Sequence, residues 1–209
     1  MDSVSVTNFA DQTAVEGEDG RYRATIHSQL ATPLGPYGAY VAGIALGAAG
    51  VHSKFDRPAS ISCHFLKPAK FGEAEFEVET LRSAKRAESL RVSMTQEGER
   101  VVEAIVWAVA EMSALEHQVE MPEVPGPDEL RPLEELVKFR NQSDFDMAVE
   151  GRPLFDRTPE GEPPWGPDDM EPGPPVTRGW IRLRAQPAFE NPFVEAARRL
   201  IPIDWMVSG

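Results

Sequence analysis

The chain has 209 residues, with 34 acidic against 21 basic side chains, a net charge of −13 and 41% hydrophobic residues. That apolar share can fill a core and excludes wholesale disorder, and the length suits one large domain or two small ones at roughly 100–200 residues each. No window approaches ~18 consecutive apolar residues, so no transmembrane helix is expected. The N-terminus lacks the basic flank and apolar run of a signal peptide. The acidity argues against a nucleic-acid binder, which needs a basic face. Cys63 is the single cysteine, so an internal disulfide and a Cys-based zinc site are excluded. A soluble, cytoplasmic protein is the expectation.

The charge is local. Residues 111–175 carry 17 acids, 5 bases and 12 of the 19 prolines, a net of −12 that leaves −1 for the rest of the chain. A Pro-rich connector holds the acidity, and the near-neutral body can still accept an anionic ligand.

Residues 1–19 are polar and patternless and read as a loose N-terminal arm. In residues 20–29, Tyr22, Ala24 and Ile26 alternate with Arg21, Arg23 and Thr25, a period-2 pattern that predicts a strand. Pro33, Gly35 and Pro36 mark a turn. Residues 37–52 (YGAYVAGIALGAAGVH) hold no acid, Lys or Arg. The run is too long for a strand and too short for a bilayer, and it predicts a helix apolar on every side, hence buried. Gly38, Gly43, Gly47 and Gly50 cost about 1 kcal/mol each against Ala, which makes sense if a sheet presses close. Four strands are predicted next, at residues 58–66, 73–82, 87–96 and 100–110, with a turn at Glu97–Gly98–Glu99. The second alternates Phe76 and Val78 against a row of glutamates, as a sheet with one wet face does. A strand, a long buried helix and four antiparallel strands form an α+β layout with the helix laid along the sheet.

Residues 113–135 read as connector, and the Pro-rich loop 151–175 as no regular element. Between them come a helical patch at 133–139 and a strand at 145–150. A strand at 176–184 and a helix at 192–207 follow, the helix kinked by Pro202. The second half therefore repeats the opening strand, breaker and helix of the first. The expected organisation is an arm at 1–19, a first domain at 20–112, a linker at 113–141 and the start of a second domain at 142–209.

The run GPYGAYVAGIALGAAG, FLKP at Phe65–Pro68, VETLR at Val78–Arg82 and the strands around them resemble the first half of the acyl-CoA thioesterase II type family. VTRGWIRLR and the helix ending IPIDWM resemble the start of its second half. The resemblance implies a hotdog fold, a long helix wrapped by a curved antiparallel sheet, in a double-hotdog architecture whose second repeat is truncated here. It also implies hydrolysis of an acyl-CoA thioester to free acid and coenzyme A with no cofactor, and a homo-oligomer. The family's catalytic Asp, Thr and Gln orient a water, and Asp204 matches the Asp. The Thr and Gln follow that helix on later strands, and no residue of 1–209 is assigned to them.

Asp204 lies among Ile201, Pro202, Ile203, Trp205 and Met206, where a carboxylate is costly to bury unless bonded and where a raised pKa would suit a general base. The bland alternative is a solvated acid. The first helix carries no matching carboxylate, so one site per double unit is expected. Gly35, Tyr37 and Gly38 open that helix, whose first amides lack intrahelical partners. They read either as an oxyanion hole or as tight packing at a turn. His64 reads as a packed strand residue, and His27, His52 and His117 have no acid or nucleophile beside them. With no HExxH or GxSxG pattern, neither a metal nor an α/β serine hydrolase is expected. Cys63 and His64 point to opposite faces of a strand and cannot pair. Lys67, Lys70, Lys85 and Arg86 follow strand ends and could meet phosphates or simply be solvated. The acyl chain is expected in a tunnel between helix and sheet, in room left by the small residues of the helix. Two readings stand: a thioesterase, or a non-catalytic acyl-binding hotdog.

Overall fold

The computed structural model describes residues 9–32, 34–113, 115, 117–136, 149–154, 178–184 and 188–207. Its centre is a six-stranded antiparallel sheet in the order β1-β2-β6-β7-β8-β5. The strands are β1 (Glu16–Glu18), β2 (Arg21–Ile26), β5 (Arg57–Phe65), β6 (Gly72–Ser83), β7 (Ala87–Gln96) and β8 (Glu99–Val109). Alternation sets their faces: Tyr22, Ala24 and Ile26 are buried on β2, and Ala74, Phe76 and Val78 on β6, while the glutamates between them face out. β7 and β8 join through Glu97 and Gly98, whose φ values of 53° and 78° are those of the two-residue turn that fits strand twist.

Helix α2 (Gly38–His52) lies on the inner face. Ala39, Tyr40, Val41, Ala42, Gly43 and Ile44 are all buried; six buried residues in succession exceed one 3.6-residue turn, so the helix is covered on every side. Gly43, Gly47 and Gly50 serve neighbours other than the sheet. A Cβ at Gly43 would lie 3.2 Å from Ala197, and one at Gly50 would lie 2.6 Å from Phe193; both neighbours belong to α4 (Pro192–Val207). A Cβ at Gly47 would meet the Thr13 carbonyl at 3.2 Å. The small residues therefore let a second helix and the N-terminal segment approach α2, and that face of α2 is filled by protein rather than left as a tunnel.

The strands expected from alternation appear within two or three residues of the expected ends, and α4 coincides with the expected helix, Pro202 included. The N-terminal segment differs. From Phe9 onward it is part of the fold: α1 (Phe9–Gln12) buries Phe9 completely, and β1 adds to the sheet edge. One aromatic in a polar run leaves no periodicity, yet Phe9 reaches the core beside Phe189, with ring centroids 6.1 Å apart. A short hairpin, β3 (Ala31–Thr32) and β4 (Gly35–Pro36), leads into α2. α3 (Leu133–Leu136) opens the helical patch, whose remainder lies outside the described residues. β9 (Val149–Pro153) runs into the segment expected to be irregular and pairs antiparallel with β10 (Gly179–Leu183). Pro153 is tolerated there because it ends the strand. Most of the Pro-rich loop, 155–177, lies outside the described residues. No helix of the described residues is long and apolar enough to cross a membrane.

Candidate active site

Two helix starts are built differently. α4 begins on its own cap: the Asn191 side-chain oxygen accepts from the Phe193 N–H at 2.9 Å. α2 has no such side chain, because Tyr37 stands at its cap position and makes no capping bond. The first amides of a helix carry partial positive charge and need acceptors. Here the acceptor comes from α4: Asp204 Oδ2 receives the Ala39 N–H at 3.0 Å. The carboxylate is half-buried and sits where an anion is most favourable on a helix. The Tyr37 hydroxyl donates to the Ile201 carbonyl at 3.5 Å, a second tie between the same two helix ends.

The amides at this turn are not equivalent. The Tyr37 N–H donates to the Leu30 carbonyl at 3.0 Å and is spent there. Gly35 faces Thr32 across the hairpin, and its carbonyl accepts the Thr32 hydroxyl at 3.0 Å. Among the three residues named from sequence, Gly38 is the one whose N–H has no acceptor among the described residues and stands at the helix start. The structure thus brings Gly38 and Asp204 together, 166 positions apart in sequence, and gives Gly35 and Tyr37 roles in holding the turn.

Beside Gly38 opens a groove of about 390 Å³ lined by Leu34, Pro36, Gly38, Val41, Phe65, Leu66, Lys67, Pro68 and Ala69. Asp204 is behind Gly38 and not on the groove wall. A Cβ at Gly38 would be 3.4 Å from Asp204 Oδ2 and 3.5 Å from the Phe65 ring, so the missing side chain leaves a window between groove and carboxylate. Phe65 and Leu66 are about half exposed, and Leu34 at the hairpin tip is 93% exposed. These apolar lips escaped the candidate residues named from sequence, although FLKP, the stretch Phe65–Pro68, was one of the motifs carrying the resemblance. Lys67 at the rim pairs with Glu99 at 2.7 Å, and Lys70 with Glu97 at 2.6 Å. The bond from Lys67 holds the Glu99 carboxyl below its ordinary range, and the bond to Glu97 raises Lys70.

The other candidates lie elsewhere. His52 ends α2 at the far side from Asp204, its ring between the Tyr22 hydroxyl (3.2 Å) and the Thr80 hydroxyl (2.9 Å). His64 is exposed and opposite Glu103 on the outer face, unlike the packed residue expected. Burial lifts the Cys63 thiol to about 11, which leaves it protonated and unreactive at neutral pH. Among the described residues no His, Cys, Asp and Glu cluster could hold a metal ion.

Residues 26–109, from the end of β2 through β8, match the sequence model of the acyl-CoA thioesterase N-terminal domain. No curated protein sequence matches the chain. Among solved structures, a conserved hotdog-fold protein of unknown function from Alicyclobacillus acidocaldarius is similar over 96% of this chain and 69% of its own, at 19% identity and a TM-score of 0.77. An acyl-CoA thioesterase II from Mycobacterium marinum is similar over 94% of this chain and 68% of its own, also at 19% identity, with a TM-score of 0.67. Identities this low speak for fold alone, and that fold is the hotdog. The chain has the α+β hotdog fold and resembles the acyl-CoA thioesterase II type family, to whose N-terminal domain model residues 26–109 are similar.

Proposed function

We propose that the protein hydrolyses acyl-CoA thioesters, with Asp204 as the general base and Gly38 N–H as the donor to the thioester oxygen. The observation that carries the reading is the meeting of Asp204 with the start of α2, behind a glycine window onto an apolar groove. The thioester carbonyl would lie at Gly38 with its oxygen receiving that amide, where the helix start favours developing negative charge. Water held at the window would give a proton to the Asp204 carboxylate as its oxygen bonds the carbonyl carbon. On collapse the carbon–sulfur bond breaks, and the proton passes to the departing sulfur, giving acid and free coenzyme A. The groove supplies positioning. Two hotdog units, 20–112 and one starting within 142–209, are part of this proposal, supported by the recurrence of a strand ahead of a long helix, β2 before α2 and β10 before α4. Self-association of the chain is proposed too, in keeping with exposed Ile105, Trp107 and Ile203, and so is a cytoplasmic place, in keeping with the lone free Cys63.

One observation favours a second reading, a non-catalytic acyl-binding protein: Asp204 already serves α2 as a cap. The variants Asp204→Asn and Asp204→Ala separate the two. Asn retains an acceptor for the Ala39 N–H but cannot take a proton, so acyl-CoA hydrolysis should fall about 10²–10⁴-fold with binding and melting temperature nearly unchanged. Ala should lose about 1 kcal/mol of stability as well. Binding of acyl-CoA with no turnover in the wild type selects the second reading, and undiminished turnover in Asp204→Asn removes Asp204 from the chemistry.

A further inference from the structure

The groove reaches only one helical turn along α2. Gly38 and Val41 are the α2 residues on its wall, about 4.5 Å apart along the axis at ~1.5 Å per residue. Val41 is itself only 1% exposed, so the groove closes against it, and past it the same face continues with Ala45 and Ala48, both 0% exposed. Tyr40 and Ile44, on neighbouring sides, are equally buried. The side with Gly43 and Gly50 is occupied by Ala197 and Phe193, and Ala42, Leu46 and Ala49 on the side left over are buried as well. No face of α2 beyond Val41 therefore has room for an acyl chain among the described residues. Leu34, Leu66 and Lys67, which also line the groove, are exposed.

Building on the thioesterase reading, we infer that the groove is a closed-ended slot for short acyl chains and that Val41 is its end wall. A thioester carbonyl placed at Gly38 N–H puts the first few acyl carbons between Phe65 and α2, where the chain meets Val41. The thiol side leaves past Leu34 and Lys67, with an apolar lip for the arm and a cation at the rim. Val41 thus sets acyl length, a task the small-residue stripe of α2 cannot perform because α4 fills it.

Calorimetric binding of S-alkyl-CoA thioethers, which cannot be hydrolysed, tests this on the 209-residue chain with alkyl groups from methyl to dodecyl. Affinity should climb about fourfold per carbon, the fold-change for burying one methylene, over the first few carbons and then stop climbing before octyl. Val41→Ala should move the break one or two carbons longer, and Val41→Ile should move it shorter. Opposite displacements by two mild substitutions are not a signature of lost folding. A climb that continues to dodecyl, or a break that ignores both variants, overturns the slot and leaves the thioesterase reading standing. If no alkyl group improves on coenzyme A itself, the thioesterase reading falls and the slot falls with it.

Discussion

Gly50→Ala puts the packing of α2 on α4 to a sharp test, because two effects of opposite sign compete. In an ordinary helix the change stabilises by up to about 1 kcal/mol through propensity. Here the new Cβ would stand 2.6 Å from Phe193 Cγ and 2.9 Å from its Cβ and Cδ1, about 1 Å short of ordinary carbon contact. Phe193 is 3% exposed and its backbone is fixed by the Asn191 cap, so its ring has little freedom to retreat. Overpacking of this kind costs about 1–3 kcal/mol, so the net should be a loss of up to about 2 kcal/mol. Phe193→Ala alone should cost about 3–5 kcal/mol through the cavity it leaves. In the double variant the new methyl enters that cavity, and the two losses should fall short of their sum by at least ~1 kcal/mol. Urea unfolding of the four proteins, with unchanged m values, reads all of these terms. A stabilised Gly50→Ala, or strict additivity in the double variant, would refute the interlocking of the two helices.

Two other substitutions probe the site and its support. Gly38→Ala places a methyl 3.4 Å from Asp204 and 3.5 Å from Phe65, contacts the fold accepts, so the melting temperature should hold while acyl-CoA turnover drops at least about tenfold; equal turnover would show that nothing passes through the window. Glu195, in the first turn of α4, is held down to about 2 by Arg198, with help from the Phe189 N–H and Arg199 and against partial burial. A lowered carboxyl pKa contributes stability above the unfolded value of ~4.3 and loses it as pH falls through about 2. The deficit of Glu195→Gln, on the order of 1 kcal/mol given the exposure of Arg199, should therefore shrink between pH 5 and pH 2 in thermal melts, and a deficit that stays constant would discount the ion pairs.

Long alternating or uniformly apolar stretches announced themselves in the sequence. β6, β7, β8 and α2 each span ten or more residues, enough for a period to declare itself. β1 and β3, with three and two residues, carry no period, and α1 was invisible because its single anchor, Phe9, finds its partners only in the folded chain. The partner of the α2 glycines was misjudged for a related reason. Small residues reveal that something comes close, and not whether it is sheet or helix. At the site, Asp204 was reached through resemblance alone. Its bond to the Ala39 amide joins positions that no local pattern links, and the groove is assembled from the hairpin, the start of α2 and the end of β5.

The borrowed cap of α2 has a consequence for biosynthesis. The acceptor for the Ala39 amide lies 165 residues downstream, so during translation the leading end of the central helix leaves the ribosome long before its counter-charge exists. At roughly 5–20 residues per second, the nascent first unit spends on the order of ten seconds or more with that end unsealed and with the α4-facing side of α2 bare. Nothing at Gly38 can be assembled in that interval. The chemistry proposed there would be deferred until the later helix docks, and an abandoned, half-made chain would carry an adhesive helix without its cap.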